Sequence, residues 1–223
     1  KRTGKEQEDA GTEADNTRAE AAAGKEKVMA YSDYTSLHKL QQELDITHHK
    51  GVLFPELEPI QASQKLQEDL EEAQNYSLLT EKAKSEFLIT PVLKEVRRSY
   101  PAQVGVFSGV SLDVESAGLS VFCDFILSCE PNTVELTAPI FCLVEAKNRT
   151  LEEGFAQCAA EMYAAILFNK ENQIHQDVIY GCVTNGYDWN FMRLKDKRVQ
   201  IDSTRFFLNE IDKILGMMLF FLL

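Results

Sequence analysis

Three ionisable residues interrupt or end apolar stretches of the 223-residue sequence. Asp124 lies inside the apolar run 121–127, and Glu145 and Lys147 follow the apolar run 140–144. Because side chains alternate along a strand, Glu145 and Lys147 share one face and Ala146 points to the other. Burying a carboxylate in a sheet costs several kcal/mol unless the carboxylate is paired or bound to a metal. We therefore expect Asp124, Glu145 and Lys147 to form one site on adjacent strands.

This set of groups predicts an oxygen-ligand site for Mg²⁺ or Mn²⁺. The predicted metal ligands are Asp124, Glu145 and the backbone carbonyl of Ala146. A metal held in this way polarises a phosphoryl oxygen and lowers the pKa of a bound water. Lys147 could position or help deprotonate that water, or stabilise the developing negative charge. The chemistry that these residues support is phosphodiester hydrolysis.

An ion pair is the simpler explanation of the same residues. A pair between Lys147 and either Asp124 or Glu145 at a strand end would satisfy the charges without any catalysis. An acid-x-Lys triplet is a weak signal by itself. This one gains weight from its place at the end of an apolar strand, with a lone aspartate in the preceding strand. The sequence leaves both explanations open.

The elements that would position these residues follow from the apolar periodicity. Strands are predicted at 104–114, 119–127, 140–146 and 178–184, then a hairpin at Asn185 and Gly186, and strands at 189–194 and 198–201. Helices are predicted at 80–99, at 150–168 behind a capping box at 150–153, and from 204 onward. Pro91 should kink or split the first of these helices after residue 89 or 90. The resulting order, α-β-β-β-α-β-β-α, indicates an α/β fold with a mixed central sheet.

The chain divides into three parts. Residues 1–28 contain one β-branched aliphatic residue and no aromatic residue, so we expect a flexible tail or linker, with Met29 as a candidate natural start. Residues 29–78 are predicted to form a helical N-terminal extension, with helices within 32–76 and a loop that carries Pro55 and Pro59. Residues 79–223 form the predicted catalytic domain, which ends in an amphipathic helix.

A family resemblance rests on the motifs within residues 86–201. Asp124 and the triplet Glu145-Ala146-Lys147 look like the motif residues of the PD-(D/E)XK nuclease superfamily. The segment YGCVTNGYDW, residues 180–189, is similar to the strand-hairpin motif G-x-V-T-[ND]-G-x-x-W of the branch near the N-terminal nuclease domains of type I restriction enzymes. The resemblance implies a restriction-endonuclease-like αβββαβ core. The sequence departs from the motif at Cys123, where many members have proline.

The same resemblance suggests further site residues. Gln157 sits like the motif glutamine of several branches, and Glu86 stands where some members place an accessory acid. Glu161 lies one helical turn after Gln157 on the same face, so both could lie at the rim of the metal site. A solvent-facing polar stripe explains Gln157 and Glu161 equally well.

The formal charge of −12 bears on the partners. An acidic chain gains no general electrostatic help in binding a polyanion, so nucleic acid should bind weakly without a partner or a dimer. The helices within 32–76 or the C-terminal helix could support a homo-oligomer. Candidate phosphate-facing cations are Lys147, Arg149, Arg193, Lys195, Lys197 and Arg198.

Other patterns narrow the class of protein. No apolar run approaches the roughly 18 residues of a membrane span, and five cysteines without a C-x-x-C pair suggest free thiols in a reducing cytoplasm. The leading hypothesis is a cytoplasmic metal-dependent nuclease. The alternative is a catalytically silent domain of the same fold that acts as an interaction or regulatory module.

Overall fold

The computed structural model describes residues 29–30, 34, 36–117 and 119–222. The predicted tail at residues 1–28 lies outside the described residues, as do residues 31–33 and 35 of the predicted helical segment 32–76.

A mixed sheet of nine strands forms the centre of the molecule. In chain order the strands are β1 (Met29–Ala30), β2 (Thr47–Gly51), β3 (Gly105–Val114), β4 (Leu119–Ser128), β5 (Ile140–Ala146), β6 (Val178–Thr184), β7 (Asp188–Lys195), β8 (Arg198–Asp202) and β9 (Phe206–Phe207). Across the sheet the order is β1-β4-β5-β6-β7-β8-β2, with β3 paired to β4 and β9 to β7. Strands β3, β4 and β5 are antiparallel neighbours, whereas β5 and β6 are parallel.

Helices cover both faces of this sheet. They are α1 (Leu37–Leu44), α2 (Gln64–Ala73), α3 (Glu81–Lys84), α4 (Thr90–Ser99), α5 (Phe155–Glu171) and α6 (Ile211–Phe220). Helix α5 is the crossover between the parallel strands β5 and β6. The order from α4 to β6 is therefore αβββαβ, which confirms the predicted α/β class and the mixed central sheet.

Two apolar layers hold the helices to the sheet. On one face, α1 and α5 pack against residues such as Leu143, Val183 and Leu194. On the other face, α2, α4 and α6 pack against residues such as Val144 and Phe191. Since β5 is buried along its whole length, its alternate side chains enter the two layers in turn.

The N-terminal extension differs from its prediction. Residues Thr47–Gly51 form strand β2, which pairs in parallel with β8 at the edge of the sheet. The prediction of helices and loop alone was wrong here, because the sequence THHKG is polar and mostly exposed and carries no alternation. Leu66 of α2 is also buried in the layer beside α4, so the extension shares the core of the domain.

Two helix starts compare differently with their predictions. The predicted interruption before Pro91 is present as a π-helical turn, Ser85–Ile89, after which α4 begins at Thr90 with Pro91 in its first turn. The predicted capping box at residues 150–153 is absent, since the Thr150 side chain makes no capping hydrogen bond. A 3₁₀ turn, Leu151–Glu153, leads into α5 instead.

The C-terminal helix α6 is part of the core. Ile214, Leu215, Met217 and Met218 are buried against the sheet layer that also contains α4. Within the part of the chain that the structure describes, no helix combines the length and the apolar character needed to span a bilayer.

Candidate functional site

The register of β4 and β5 places the two predicted metal-binding carboxylates side by side. Phe125 pairs with Val144 in the antiparallel ladder, so Asp124 and Glu145 are the next residues along the two strands. Asp124 Oδ2 accepts a hydrogen bond of 2.8 Å from the backbone N–H of Ala146. This bond fixes the aspartate at the point where β5 leaves the sheet.

Lys147 joins these carboxylates as the chain exits β5. Its backbone N–H donates to the Thr184 carbonyl over 2.8 Å, which extends the pairing of β5 with β6 by one residue. Its Nζ forms an ion pair with Glu145 Oε1. The sequence-based alternative of a Glu145–Lys147 ion pair at a strand end is therefore present in the structure.

Helix α5 adds two further residues to the cluster. Lys147 Nζ donates to Gln157 Oε1 over 3.1 Å, and Gln157 Nε2 donates to Glu161 Oε1 over 3.2 Å. Gln157 thus connects the lysine to Glu161. The structure brings Asp124, Glu145, Lys147, Gln157 and Glu161 together, as the sequence predicts, although their chemical roles stay predictions.

Burial controls the protonation of the two glutamates. Glu145 and Glu161 are each 1% exposed. Burial, helped by the nearby charge of Asp124, raises the pKa of Glu145 from 4.5 to about 7, while Lys147 acts in the opposite direction. Burial and then the charge of Glu145 raise the pKa of Glu161 well above 4.5. The fold therefore favours the protonated form of Glu161 more than water does.

The acids also control the charge of Lys147. Burial lowers the pKa of its amine, but the ion pair with Glu145 and the charges of Glu81 and Asp124 more than offset this, so the pKa is raised above 10.5. Lys147 is a cation at neutral pH. It therefore acts as a fixed positive charge at the exit of β5.

Glu81, which no sequence motif indicates, lies near this cluster. It is the first residue of α3, and the Thr80 side chain caps that helix by accepting from the Ala83 N–H over 3.1 Å. Burial raises the pKa of Glu81, Lys147 lowers it and Asp124 raises it again, which places the carboxylate within electrostatic reach of both. In the sequence, Thr80 indicates where the helix begins. The sequence does not indicate that the first turn of this helix lies beside Asp124 and Lys147.

Glu86, the predicted accessory acid, lies outside the cluster. Its side chain is 54% exposed and forms an ion pair of 3.8 Å with Lys82. It lines a surface groove that also contains Tyr76 and Phe87, which stack with ring centroids 4.3 Å apart. The helical acid near Asp124 is therefore Glu81 and not Glu86.

The hairpin after β6 supports the loop that follows Lys147. Gly186 has a φ of 87°, a conformation that glycine adopts without strain. The Asn185 side chain accepts from the N–H groups of Tyr187 and Asp188 and donates to the Arg149 carbonyl over 2.9 Å. Trp189 is fully buried and donates to the Gly186 carbonyl. The segment YGCVTNGYDW therefore holds the site loop in place by packing and hydrogen bonds.

Comparisons with known proteins do not identify a family. No family profile and no curated protein matches the chain. Among solved structures, it is similar to the cryo-EM structure of the DrdV–DNA complex, with 12% sequence identity and a TM-score of 0.40. The match covers 71% of this chain and 13% of that chain, so this chain spans a small part of its length. We therefore interpret the site from its own residues.

The oxygen donors of the cluster are partly compatible with a divalent cation. Glu145 Oε2 and Glu161 Oε2 are buried and have no hydrogen-bond partner among the described residues. Either a shared proton or a cation would satisfy them. Within the described ranges, no three His, Cys, Asp or Glu side chains form a metal-binding group. Mg²⁺ commonly uses one or two carboxylates and keeps several waters, so Asp124, Glu145 and the Ala146 carbonyl are compatible with it.

Proposed function

We propose that the protein hydrolyses phosphodiester bonds of nucleic acid, with DNA as the expected substrate, as a PD-(D/E)XK-type nuclease. The observation that carries the proposal is the convergence of Asp124, Glu145 and Lys147 at the exit of β5. Two buried carboxylate oxygens beside them, Glu145 Oε2 and Glu161 Oε2, have no hydrogen-bond partner in the part of the chain that the structure describes. Placing a buried Glu145 beside the half-buried Asp124 and Lys147 at one strand end costs free energy. A catalytic role explains that cost.

In this mechanism the residues hold and orient the reacting groups. Asp124, Glu145 and the Ala146 carbonyl would hold Mg²⁺ or Mn²⁺, which when bound polarises the phosphoryl oxygen and acidifies a water molecule. Lys147, fixed by Gln157, would place its cationic Nζ where negative charge develops on the phosphoryl oxygens. Glu145, with a pKa of about 7, is ionised and able to bind a cation above neutral pH. Glu81 is a candidate to orient the attacking water.

The net charge of −12 sets the expected mode of substrate binding. Long-range repulsion weakens the unassisted capture of a polyanion. We therefore expect a partner protein or a dimer to supply affinity in the cytoplasm.

A silent interaction module is the second candidate function. It is favoured by the ion pair of Lys147 with Glu145, which already neutralises both groups without a metal. In that case the cluster is a structural network, and neither Mn²⁺ affinity nor hydrolysis depends on Asp124.

Calorimetric titration of Mn²⁺ separates the two functions. The wild type should bind Mn²⁺, whereas Asp124→Asn and Glu145→Ala should not, and Glu86→Ala should match the wild type. The asparagine variant keeps an acceptor for the Ala146 N–H, so it serves as the variant closest to the native shape. Equal titrations for wild type and Asp124→Asn would favour the silent module.

Hydrolysis is assayed on single- and double-stranded DNA and RNA with Mn²⁺. Cleavage of any of these by the wild type, lost in Asp124→Asn and kept in Glu86→Ala, is the expected result. A folded wild type that cuts none of them would overturn the proposal.

A further inference from the structure

A concave, positively charged groove lies on the sheet away from the carboxylate cluster. It has a volume of about 390 Å³. Its lining residues come from β2, from β7 and β8, and from the turn that joins β7 to β8: His49, Arg193, Lys195, Asp196, Arg198 and Gln200.

The strand register places the groove residues on one face of the sheet. Arg193 pairs with Gln200, and Lys195 pairs with Arg198, in the antiparallel ladder of β7 and β8. His49 pairs with Gln200 across the parallel β2–β8 ladder. Residues that alternate with them, such as Leu194 and Val199, are buried on the opposite face beneath α1 and α5. The groove therefore has a rigid floor of three paired strands.

The cations of the groove are not neutralised by the chain. Within the described residues, Arg193, Lys195 and Arg198 form no ion pair within 4.0 Å, although the chain has 35 acidic residues against 23 lysines and arginines. Asp196 is the acidic member of the lining set. The exposed Lys195 and Arg198 and the half-buried Arg193 therefore give one concave surface of an acidic protein a local positive potential that attracts anions.

One of these cations is already oriented. Arg193 Nη2 donates to Gln200 Oε1 over 2.7 Å, and Gln200 Nε2 donates in turn to the Val52 carbonyl over 3.1 Å. The Gln200 side chain, which is itself held by the segment after β2, therefore fixes the guanidinium of Arg193. A planar guanidinium held in this way presents its remaining N–H groups to a phosphate in a defined geometry.

The groove is distinct from the proposed catalytic site in both position and face. Glu145 pairs with Val183 on β6, whereas Lys195 lies opposite Val178, five residues away and so roughly 17 Å along the strands. Glu145 faces α5, and the groove opens on the other side of the sheet. Lys197, a fourth predicted cation, turns away from the groove and donates to the Leu44 carbonyl.

We propose that this groove is a second, non-catalytic site that binds phosphate groups, through Arg193, Lys195 and Arg198. The phosphates come either from a nucleic-acid backbone or from a free nucleotide. The inference does not rest on the proposed hydrolysis, because neither the metal ligands nor Lys147 contributes to the groove.

The test measures binding with a chelator present, so that hydrolysis plays no part. A short fluorescein-labelled DNA duplex is titrated by anisotropy at several salt concentrations, and ATP and inorganic phosphate are titrated by calorimetry. The groove variant carries Arg193→Gln, Lys195→Gln and Arg198→Gln. The matched control removes three exposed cations elsewhere, with Lys65→Gln, Lys82→Gln and Lys170→Gln, and both variants are checked for the wild-type circular dichroism spectrum.

Two outcomes support the proposal and identify the source of the phosphate. If the duplex is the ligand, the groove variant binds it about tenfold or more weakly, and the slope of log affinity against log salt falls by about 2 to 3, whereas the control matches the wild type. If a free phosphate compound is the ligand, ATP or phosphate binds the wild type and the control but not the groove variant.

Two outcomes overturn it. If the groove and control variants bind every phosphate ligand with equal affinity, the groove cations contribute only through the net charge of the protein and form no specific site. Groove-dependent binding of an acidic peptide such as residues 64–76 of this chain, without any phosphate binding, would assign the groove to a protein partner. Both results are independent of whether the wild type cleaves nucleic acid with Mn²⁺.

Discussion

The two charged regions of this protein differ in how far their charged groups are buried and in whether those groups are paired. At the exit of β5, Glu145 and Glu161 are each 1% exposed, Glu145 forms an ion pair with Lys147, and burial raises the pKa of Glu161. In the groove between β2, β7 and β8, the cations stay in contact with solvent and form no ion pair among the described residues.

This difference determines how each region responds to change. A buried charge that loses its partner keeps its desolvation penalty without compensation, so the carboxylate cluster couples stability to pH. An exposed cation that is removed costs little stability, since water solvates it equally well in the folded and unfolded chains. We expect the same kind of substitution to be severe in the first region and mild in the second.

The largest effect of one substitution on stability at a fixed pH is expected from Lys147→Met. The substitution keeps the apolar stem but removes the cation that faces Glu145, which leaves a buried carboxylate without its partner. We expect the free energy of unfolding at pH 8 to fall by about 3 kcal/mol, measured by urea denaturation.

The double variant Glu145→Gln/Lys147→Met tests the cause of that loss. Removing both partners leaves no uncompensated charge, so the double variant should recover most of the lost stability. If the double variant is as unstable as Lys147→Met, the loss comes from packing and not from the ion pair.

The second effect is a pH dependence that comes from Glu161. Its pKa and that of Glu145 are raised in the fold, so the folded chain binds protons more tightly than the unfolded chain. With a chelator present, the free energy of unfolding should therefore fall as pH rises from about 4.5 through 7, by up to about 1.4 kcal/mol per pH unit for each proton.

The Glu161→Gln variant should flatten this fall. Its amide is neutral at every pH and can donate to the Glu145 oxygen that otherwise has no partner. Carboxylates whose pKa is lowered in the fold, such as Glu95, make the free energy of unfolding rise with pH. Their contribution is the same in wild type and variant, so it cancels when the two stability curves are subtracted. Parallel stability curves for wild type and Glu161→Gln would contradict the assignment of the titration to this residue.

The apolar parts of the fold were predictable from the sequence, and the polar edges were not. The buried strands β5 and β6 have the predicted bounds, because continuous apolar runs between turn residues leave little choice. Strand β2 was missed, since an exposed edge strand is stabilised by its ladder to β8 and not by a pattern of its own.

The same contrast applies to the candidate site. Asp124, Glu145 and Lys147 could be placed together because they follow from the order and alternation of two apolar strands. Gln157 came from the family resemblance, and Glu161 from its position one helical turn later on the same face. The choice between Glu81 and Glu86 depends on how the helix lies across the end of the sheet. That is a tertiary contact, and the π-helical turn at Ser85–Ile89 further changes the angle at which residues leave the helix.

A third prediction uses these two glutamates as a matched pair. Glu81→Gln should lower the Mn²⁺-dependent cleavage rate by about tenfold, which corresponds to about 1.4 kcal/mol, because it removes a carboxylate near Asp124 and Lys147. Glu86→Gln should change the rate by less than about twofold, since its side chain is exposed and pairs with Lys82. A rate loss in Glu86→Gln without one in Glu81→Gln would reverse the assignment.

The smallest effect is expected in the groove. Arg193→Gln, Lys195→Gln and Arg198→Gln should each change the free energy of unfolding by no more than about 0.5 kcal/mol in urea denaturation at pH 8, because none of the three leaves a buried partner behind. Of the three, Arg193→Gln should show the largest change, since it also loses the hydrogen bond to Gln200. A loss comparable to that of Lys147→Met in any of them would mean that the groove cations hold the β7–β8 edge together. The contrast between a buried, self-neutralised cluster and a solvated cationic surface would then fail.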